Sequence, residues 1–222
     1  MTNAEQPAKQ EKTFLDDFAH EIKTPLTSII ASWSLLAEEL SQQSDGPVPR
    51  LVRNIGRSAI VMRIRIDELL DTAMMRSAEL TLNKTDLNLV TLINRCTTQF
   101  RIVAEGKGQH IKINLPPDLP RLRADGRRIE QVLFAFLESA SKNAPVEGTI
   151  EVNARINNDS ITIEVHDTGP AMPQRQTDGK NYSGLNMGFA LAYHLVELHS
   201  GKVRIESGEG KGNTIAFSLP LS

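Results

Sequence analysis

Apolar residues recur at Leu15, Phe18, Ile22, Leu26, Ile29, Trp33, Leu36 and Leu40, and again at Leu51, Ile55, Ala59, Met62, Ile66, Leu69 and Ala73. Steps of three and four residues gather each set onto one side of a helix. Between the two sets, SQQSDGPVPR supplies turn and helix-entry residues in Asp45-Gly46-Pro47 and Pro49. The pattern predicts two long helices in an antiparallel hairpin over residues 13–80, after a polar, disordered tail over 1–12. Two helices cover only part of each other, so two broad stripes predict a homodimer in which a pair of hairpins forms a four-helix bundle. Pro25 falls inside the first helix, where the missing N–H costs roughly 3 kcal/mol and predicts a kink.

Beyond residue 80 the rhythm turns to mixed helix and strand. Asp86 reads as the cap of a helix from Leu87 to Glu105, and a second helix is expected over Ile129–Lys142 and a third over Met187–His199. Strands are expected at His110–Leu115, at Glu151–Ile156 and Ile161–His166 around the Asn157-Asn158-Asp159 turn, and at Lys202–Ser207 and Thr214–Leu219. The fold class is therefore α+β, a helical hairpin followed by a sandwich of sheet under helices over 81–222. A net charge of -2 gives no case for nucleic acid or an anionic membrane as partner. No apolar run reaches the roughly 18 residues of a membrane span. With the lone Cys96 read as a small apolar helix residue, a reducing, cytoplasmic location is expected.

Chemistry is concentrated in FAHEIKTPLT, Phe18 to Thr27. His20 stands two positions from both Phe18 and Ile22, and at about 100° per residue it points away from the apolar stripe. A carboxylate at Glu21 can hold one imidazole nitrogen and leave the other nucleophilic. Thr24 follows one turn later.

This segment resembles the dimerisation and histidine-phosphotransfer domain of sensor histidine kinases of two-component systems. The resemblance implies that His20 is the phosphoacceptor, Glu21 the orienting base and Pro25 the kink residue. It also implies that Glu21 and Thr24 form a phosphatase signature, the threonine orienting a hydrolytic water. The second half resembles the ATP-binding domain of the same kinases, a fold shared with gyrase and heat-shock chaperones. VHDTGPAMP, Val165 to Pro173, implies that Asp167 accepts the adenine amino group and that Gly169 makes room for the base. SGLNMG, with Gly184 and Gly188, resembles the glycine-rich entry to a helix that cradles phosphates, and GKGNTIAFSLP, with Gly210, Gly212 and Thr214, resembles the closing hairpin. ATP and magnesium are the implied cofactors.

The chain departs from that family on the helix RRIEQVLFAFLESASKN, where Ala135 and Ser139 occupy the positions of two asparagines. Magnesium asks for well-placed oxygen ligands, and the Ser139 hydroxyl is a poorer one than a carboxamide. Asn143 lies one turn further on. Only ten residues, QRQTDGKNYS, separate Pro173 from Gly184, without the phenylalanines of the family's lid, and Asn186 replaces a glycine. Lys142 and Lys180 are candidates to pair with phosphates. Met172 and Ala171 also differ from the usual residues of their motif.

Three functions compete. In the first, ATP phosphorylates His20 directly, as in an active histidine kinase. In the second, His20 exchanges phosphate with the aspartate of a response-regulator receiver domain, or Glu21 and Thr24 help remove it, with weak or absent use of ATP. The third is a dimeric scaffold that docks a regulator without phosphate transfer. The departures on the Ile129–Lys142 helix favour the second. Arg53, Arg57 and Glu38 are candidate regulator contacts, and a separate sensory protein is a further expected partner.

Overall fold

The computed structural model describes residues 5–39, 46–76, 81–172 and 187–221, with side chains described for 22–39, 46–67, 69, 81–172 and 188–221. The chain divides into two compact units, Met1–Thr81 and Leu82–Ser222.

The first unit holds helices α1 (Glu5–Glu39) and α2 (Pro47–Arg76). Helix α1 starts at Glu5 rather than at Leu15, so residues 5–12, expected as a tail, are helical. Ala, Glu, Gln and Lys are strong helix formers even without an apolar period, and Pro7 falls in the first turn, where its missing N–H has no intrahelical partner to lose. The helix continues through Pro25. The two helices pack on each other, and Leu26 of α1 and Val52, Gly56, Ala59, Ile60 and Ile64 of α2 are buried. A Cβ on Gly56 would stand 1.9 Å from the Trp33 ring, so the glycine lets the indole lie on the α2 backbone. Lys23 pairs with Asp67 across the hairpin. Among the described side chains of the expected second stripe, Ala59 is buried and Ile66 partly so. Leu51, Ile55, Met62 and Leu69 point outward, 51–60% exposed, as do Ile29 and Leu36 on α1.

The second unit is built on a five-stranded sheet in the order β2-β4-β5-β7-β6. Its strands are β2 (His110–Asn114), β4 (Thr149–Asn157), β5 (Ser160–Asp167), β6 (Lys202–Gly208) and β7 (Gly212–Pro220). Strand β2 runs parallel to β4, and the other pairs are antiparallel. A separate antiparallel pair, β1 (Thr85–Leu87) with β3 (Leu122–Ala124), was not evident from the short apolar runs there. Alternation puts Ile150, Val152, Ile161, Ile163, Val165, Ile215, Phe217 and Leu219 on the buried face. Helices α3 (Leu89–Glu105), α4 (Gly126–Asn143) and α5 (Met187–Leu198) cover that face. Phe136 of α4 stacks on Phe189 of α5 at 5.2 Å and meets Phe217 of β7 edge-on at 5.6 Å. Cys96 lies fully buried in α3.

The cap of α3 is Asn88 and not Asp86. Asn88 accepts the N–H of Thr91 at 3.0 Å, while Asp86 lies in β1 and pairs with Arg121 at 2.6 Å. Helix α4 begins three residues before Ile129, because Asp125 accepts the N–H of Arg128 at 3.2 Å and caps the first turn.

Candidate functional site

On the first unit, His20 and Glu21 fall in the middle of α1, and their side chains lie outside the described residues. Thr24, one turn on, is exposed, and its backbone carbonyl accepts the Ser28 hydroxyl at 3.3 Å. Arg53 and Glu38 are exposed on the hairpin.

On the second unit, the end of β5 delivers Asp167 into the protein, 1% exposed. Its Oδ1 accepts two donors, the backbone N–H of Gly169 at 2.8 Å and Nδ2 of Asn213 at 2.9 Å. Its Oδ2 is buried and has no hydrogen-bond partner among the described residues. Burial pushes the Asp167 carboxyl above its ordinary value, while the hydrogen bonds from Asn213 and Gly169 and the nearby His166 act the other way.

Two glycines permit this arrangement. A Cβ on Gly169 would fall 2.2 Å from the carbonyl oxygen of Asn143, the last residue of α4, and a Cβ on Gly212 would fall 2.0 Å from the Asp167 carbonyl. Gly212 also has φ +73, which suits glycine on the β6–β7 hairpin. The C-terminal end of α4 is thus set against the loop after β5. Ser139 and Ala135 stand one and two turns back from Asn143 on α4, 6% and 3% exposed. Positions 135 and 139 of this face together offer one hydroxyl and no side-chain carboxamide. Asn143, expected near the helix end, is its last residue, and it is partly exposed.

The structure does not bring Thr214 to Asp167. Strand β5 pairs with β7 so that Asp167 faces Asn213 and His166 faces Thr214, and the Thr214 hydroxyl lies 3.0 Å from His166 Nδ1 on the opposite side of the sheet. A side-chain period of two makes a one-residue offset a change of face. Asn213, which GKGNT alone does not distinguish from its neighbours, is the group that reaches the carboxylate. The clue was its position two residues after Lys211 and directly after Gly212, on the strand expected to neighbour β5. Lys142 is half exposed and paired with Glu138 at 3.0 Å, one turn back. Gly188 is buried in the first turn of α5. Met172 is buried, its N–H held by Ser207 Oγ at 2.7 Å and Asn213 Oδ1 at 3.1 Å. Gly184, Lys180 and Asn186 lie outside the described residues.

Residues 10–78 match the His Kinase A (phospho-acceptor) domain, and residues 124–222 match the histidine kinase-, DNA gyrase B-, and HSP90-like ATPase domain. The chain belongs to the histidine kinases of two-component systems. A helical phospho-acceptor region followed by an α/β ATPase-type domain is this family's order, as the sequence motifs led one to expect. Among curated relatives, the adaptive-response sensory kinase SasA of Thermosynechococcus vestitus is 29% identical over 220 residues, 91% of this chain. The chain spans 58% of SasA and a smaller share of other curated histidine-kinase relatives. Among solved structures, full-length ShkA in complex with AMPPNP has a TM-score of 0.65 at 22% identity, covering 95% of this chain and 46% of that one. The histidine kinase ThkA in complex with the response regulator protein TrrA has a TM-score of 0.60 at 17% identity, covering 98% of this chain and 65% of that one. Among the described residues, no helix of this histidine kinase is long and apolar enough to cross a membrane.

Proposed function

We propose that this histidine kinase acts as a homodimer that carries phosphate on His20 and exchanges it with the receiver aspartate of a response regulator, with weak autophosphorylation from ATP. The observation that carries this reading is the contrast between the two ends of the nucleotide site. The base end presents a buried acceptor without a partner, Asp167 Oδ2, which suits an adenine amino group. At the two positions where the family has asparagines α4 offers only the Ser139 hydroxyl, with the Asn143 carboxamide at the partly exposed helix end, so the residues present fit adenine better than they fit a tightly held magnesium. Phosphoryl transfer from ATP depends on positioning and on charge neutralisation, and a poor metal site weakens both.

Exchange with a receiver needs no metal on this chain's second unit. An imidazole nitrogen of His20 attacks the phosphorus of the aspartyl phosphate, the aspartate carboxylate leaves, and phosphohistidine forms; the reverse step returns phosphate to the receiver. Glu21 is assigned the hydrogen bond to the other ring nitrogen, which keeps the attacking nitrogen basic. Thr24 is assigned the water that hydrolyses phosphate on the regulator. The complex of ThkA with TrrA supports a regulator partner, and the AMPPNP complex of ShkA supports a nucleotide at the second unit. The first turn of α5, with buried Gly188, is assigned the phosphates, since unspent N–H groups there favour anions.

A second reading, a fully active ATP-dependent kinase, is favoured by the intact Asp167–Gly169 pair. One experiment separates the two. The full chain is incubated either with labelled ATP and magnesium or with a labelled phosphorylated receiver domain. Label is expected on His20 from the receiver, little from ATP, and none in His20→Gln. Rapid His20-dependent labelling from ATP would replace the first reading with the second.

A further inference from the structure

Asn213 uses every hydrogen-bonding position of its amide. Nδ2 donates to Asp167 Oδ1 at 2.9 Å and to the Pro170 carbonyl at 2.9 Å. Its Oδ1 accepts from the Met172 N–H at 3.1 Å and from Ser207 Oγ at 2.6 Å. The side chain is fully buried. Two acceptors on one side and two donors on the other settle which end is nitrogen. Both donors to Asp167, Gly169 N–H and Asn213 Nδ2, fall on the same oxygen, which leaves Oδ2 as a single buried acceptor with a fixed direction.

We propose that Asn213 is a positioning residue that aims Asp167 and keeps it an acceptor, and so decides that the site takes an amino-bearing purine rather than an oxo-bearing one. The inference rests on the reading of this site as a nucleotide site. An exocyclic amine donates to Oδ2 and satisfies it. A purine carbonyl at the same place sets oxygen against oxygen, and buried unpaired polar atoms are what make such rejection strong. The rejection holds only while Asp167 is ionised, because a protonated Oδ2 becomes a donor to that carbonyl. Burial favours the protonated form, and the hydrogen bond from Asn213 leads the influences that oppose it, ahead of the Gly169 N–H and the charge of His166. His166 is the titratable neighbour, on the same strand and turned toward Thr214.

No other side chain repeats this set of bonds. Serine is too short to reach both Asp167 and Ser207. Aspartate has the shape of asparagine but turns both donors into acceptors, facing Asp167 Oδ1 and the Pro170 carbonyl. The test uses the full chain, wild type and the variants Asn213→Ser and Asn213→Asp, with two readouts. Carbon NMR follows the titration of the Asp167 carboxyl without nucleotide, and calorimetry compares ADP with GDP across pH. The titration midpoint is expected to rise in both variants, more in Asn213→Asp. The preference for ADP over GDP is expected to fall about tenfold, the scale of one charge-assisted hydrogen bond, and ADP affinity to fade at a higher pH than in wild type. A midpoint that stays put in folded variants overturns the role of Asn213, and so does an unchanged ADP-to-GDP ratio. If wild type binds neither nucleotide while the midpoint still moves, the nucleotide reading fails and base selection fails with it, whereas the hold of Asn213 on Asp167 stands.

Discussion

His199 accepts the backbone N–H of Asp125 through Nε2 at 3.0 Å, and its Nδ1 lies 2.7 Å from the carbonyl of Leu195. The first bond needs an unprotonated nitrogen and the second a protonated one, so the ring is neutral with its hydrogen on Nδ1. Asp125 also caps α4 and accepts the N–H of Asn83 at 2.9 Å, so one imidazole joins the residues after α5, the start of α4 and the chain leading into β1.

Burial lowers the pKa of His199 below its ordinary 6.5; Lys84 and Arg128 lower it further, while the Leu195 carbonyl and Asp125 oppose them. Between that depressed value and 6.5 the unfolded chain binds more protons than the folded one, so stability rises with pH there and is complete above about 6.5. Below that, the second unit is expected to lose about 1.4 kcal/mol per pH unit until the folded-state value is passed. Urea unfolding of the full chain from pH 5 to pH 8 checks this, and His199→Gln, an acceptor that does not titrate, is expected to flatten the profile.

Gly169→Ala would place a methyl 2.2 Å from the Asn143 carbonyl, a backbone atom with no side-chain freedom to yield. The cost expected from such overpacking is about 1–3 kcal/mol. Denaturant midpoints give the cost, and calorimetry with ADP is expected to show weakened binding together with it.

At Gly56 two effects of opposite sign compete. Alanine gains about 1 kcal/mol of helix propensity over glycine, but the new methyl would meet the Trp33 ring at 1.9 Å. Overpacking is expected to win, with a net loss of about 1–2 kcal/mol in the first unit. Trp33→Leu opens space at the same place, so Gly56→Ala combined with Trp33→Leu should cost less than the sum of the two, a coupling that helix melting by circular dichroism would reveal.

Ile55 and Met62 stand 51% and 54% exposed on α2, and Ile29 and Leu36 are exposed on α1. The homodimer proposed above would cover these apolar positions. Sedimentation of the full chain is expected to give a dimer, and Ile55→Glu is expected to shift it to monomer while helix content is kept. A monomeric wild type would remove the homodimer from the proposed function.

Ser139→Asn restores a carboxamide on the α4 face. Magnesium-dependent affinity for ATP is expected to rise about tenfold, one added ligand's worth of binding, and no change would show that Ser139 is not what limits the metal.

Periodicity carried much of the architecture. Spacing of three and four marked α1 and α2, and alternation marked β4 and β5 to within two residues at each end. Periodicity could not say which of two apolar faces on α2 packs inside the chain: Val52, Ala59, Ile60 and Ile64 do, while Leu51, Ile55 and Met62, interleaved with them, face outward. The same limit hides the partner of Asp167. Strand register depends on pairing between distant segments, so GKGNT by itself does not tell Asn213 from Thr214. Asp86 and Asn88 are both good caps, and the pairing of β1 with β3, a contact across the intervening α3 and β2, draws Asp86 into a strand and leaves the helix to Asn88.

Trp33 is the single tryptophan of the chain, and it rests on Gly56 within the hairpin. Indole emission excited beyond the tyrosine absorption band therefore reports the helical unit alone, because the sheet unit holds phenylalanines and the two tyrosines but no tryptophan. A fluorescence trace and a far-ultraviolet trace recorded on one sample would separate the melting of the two units without any label being attached.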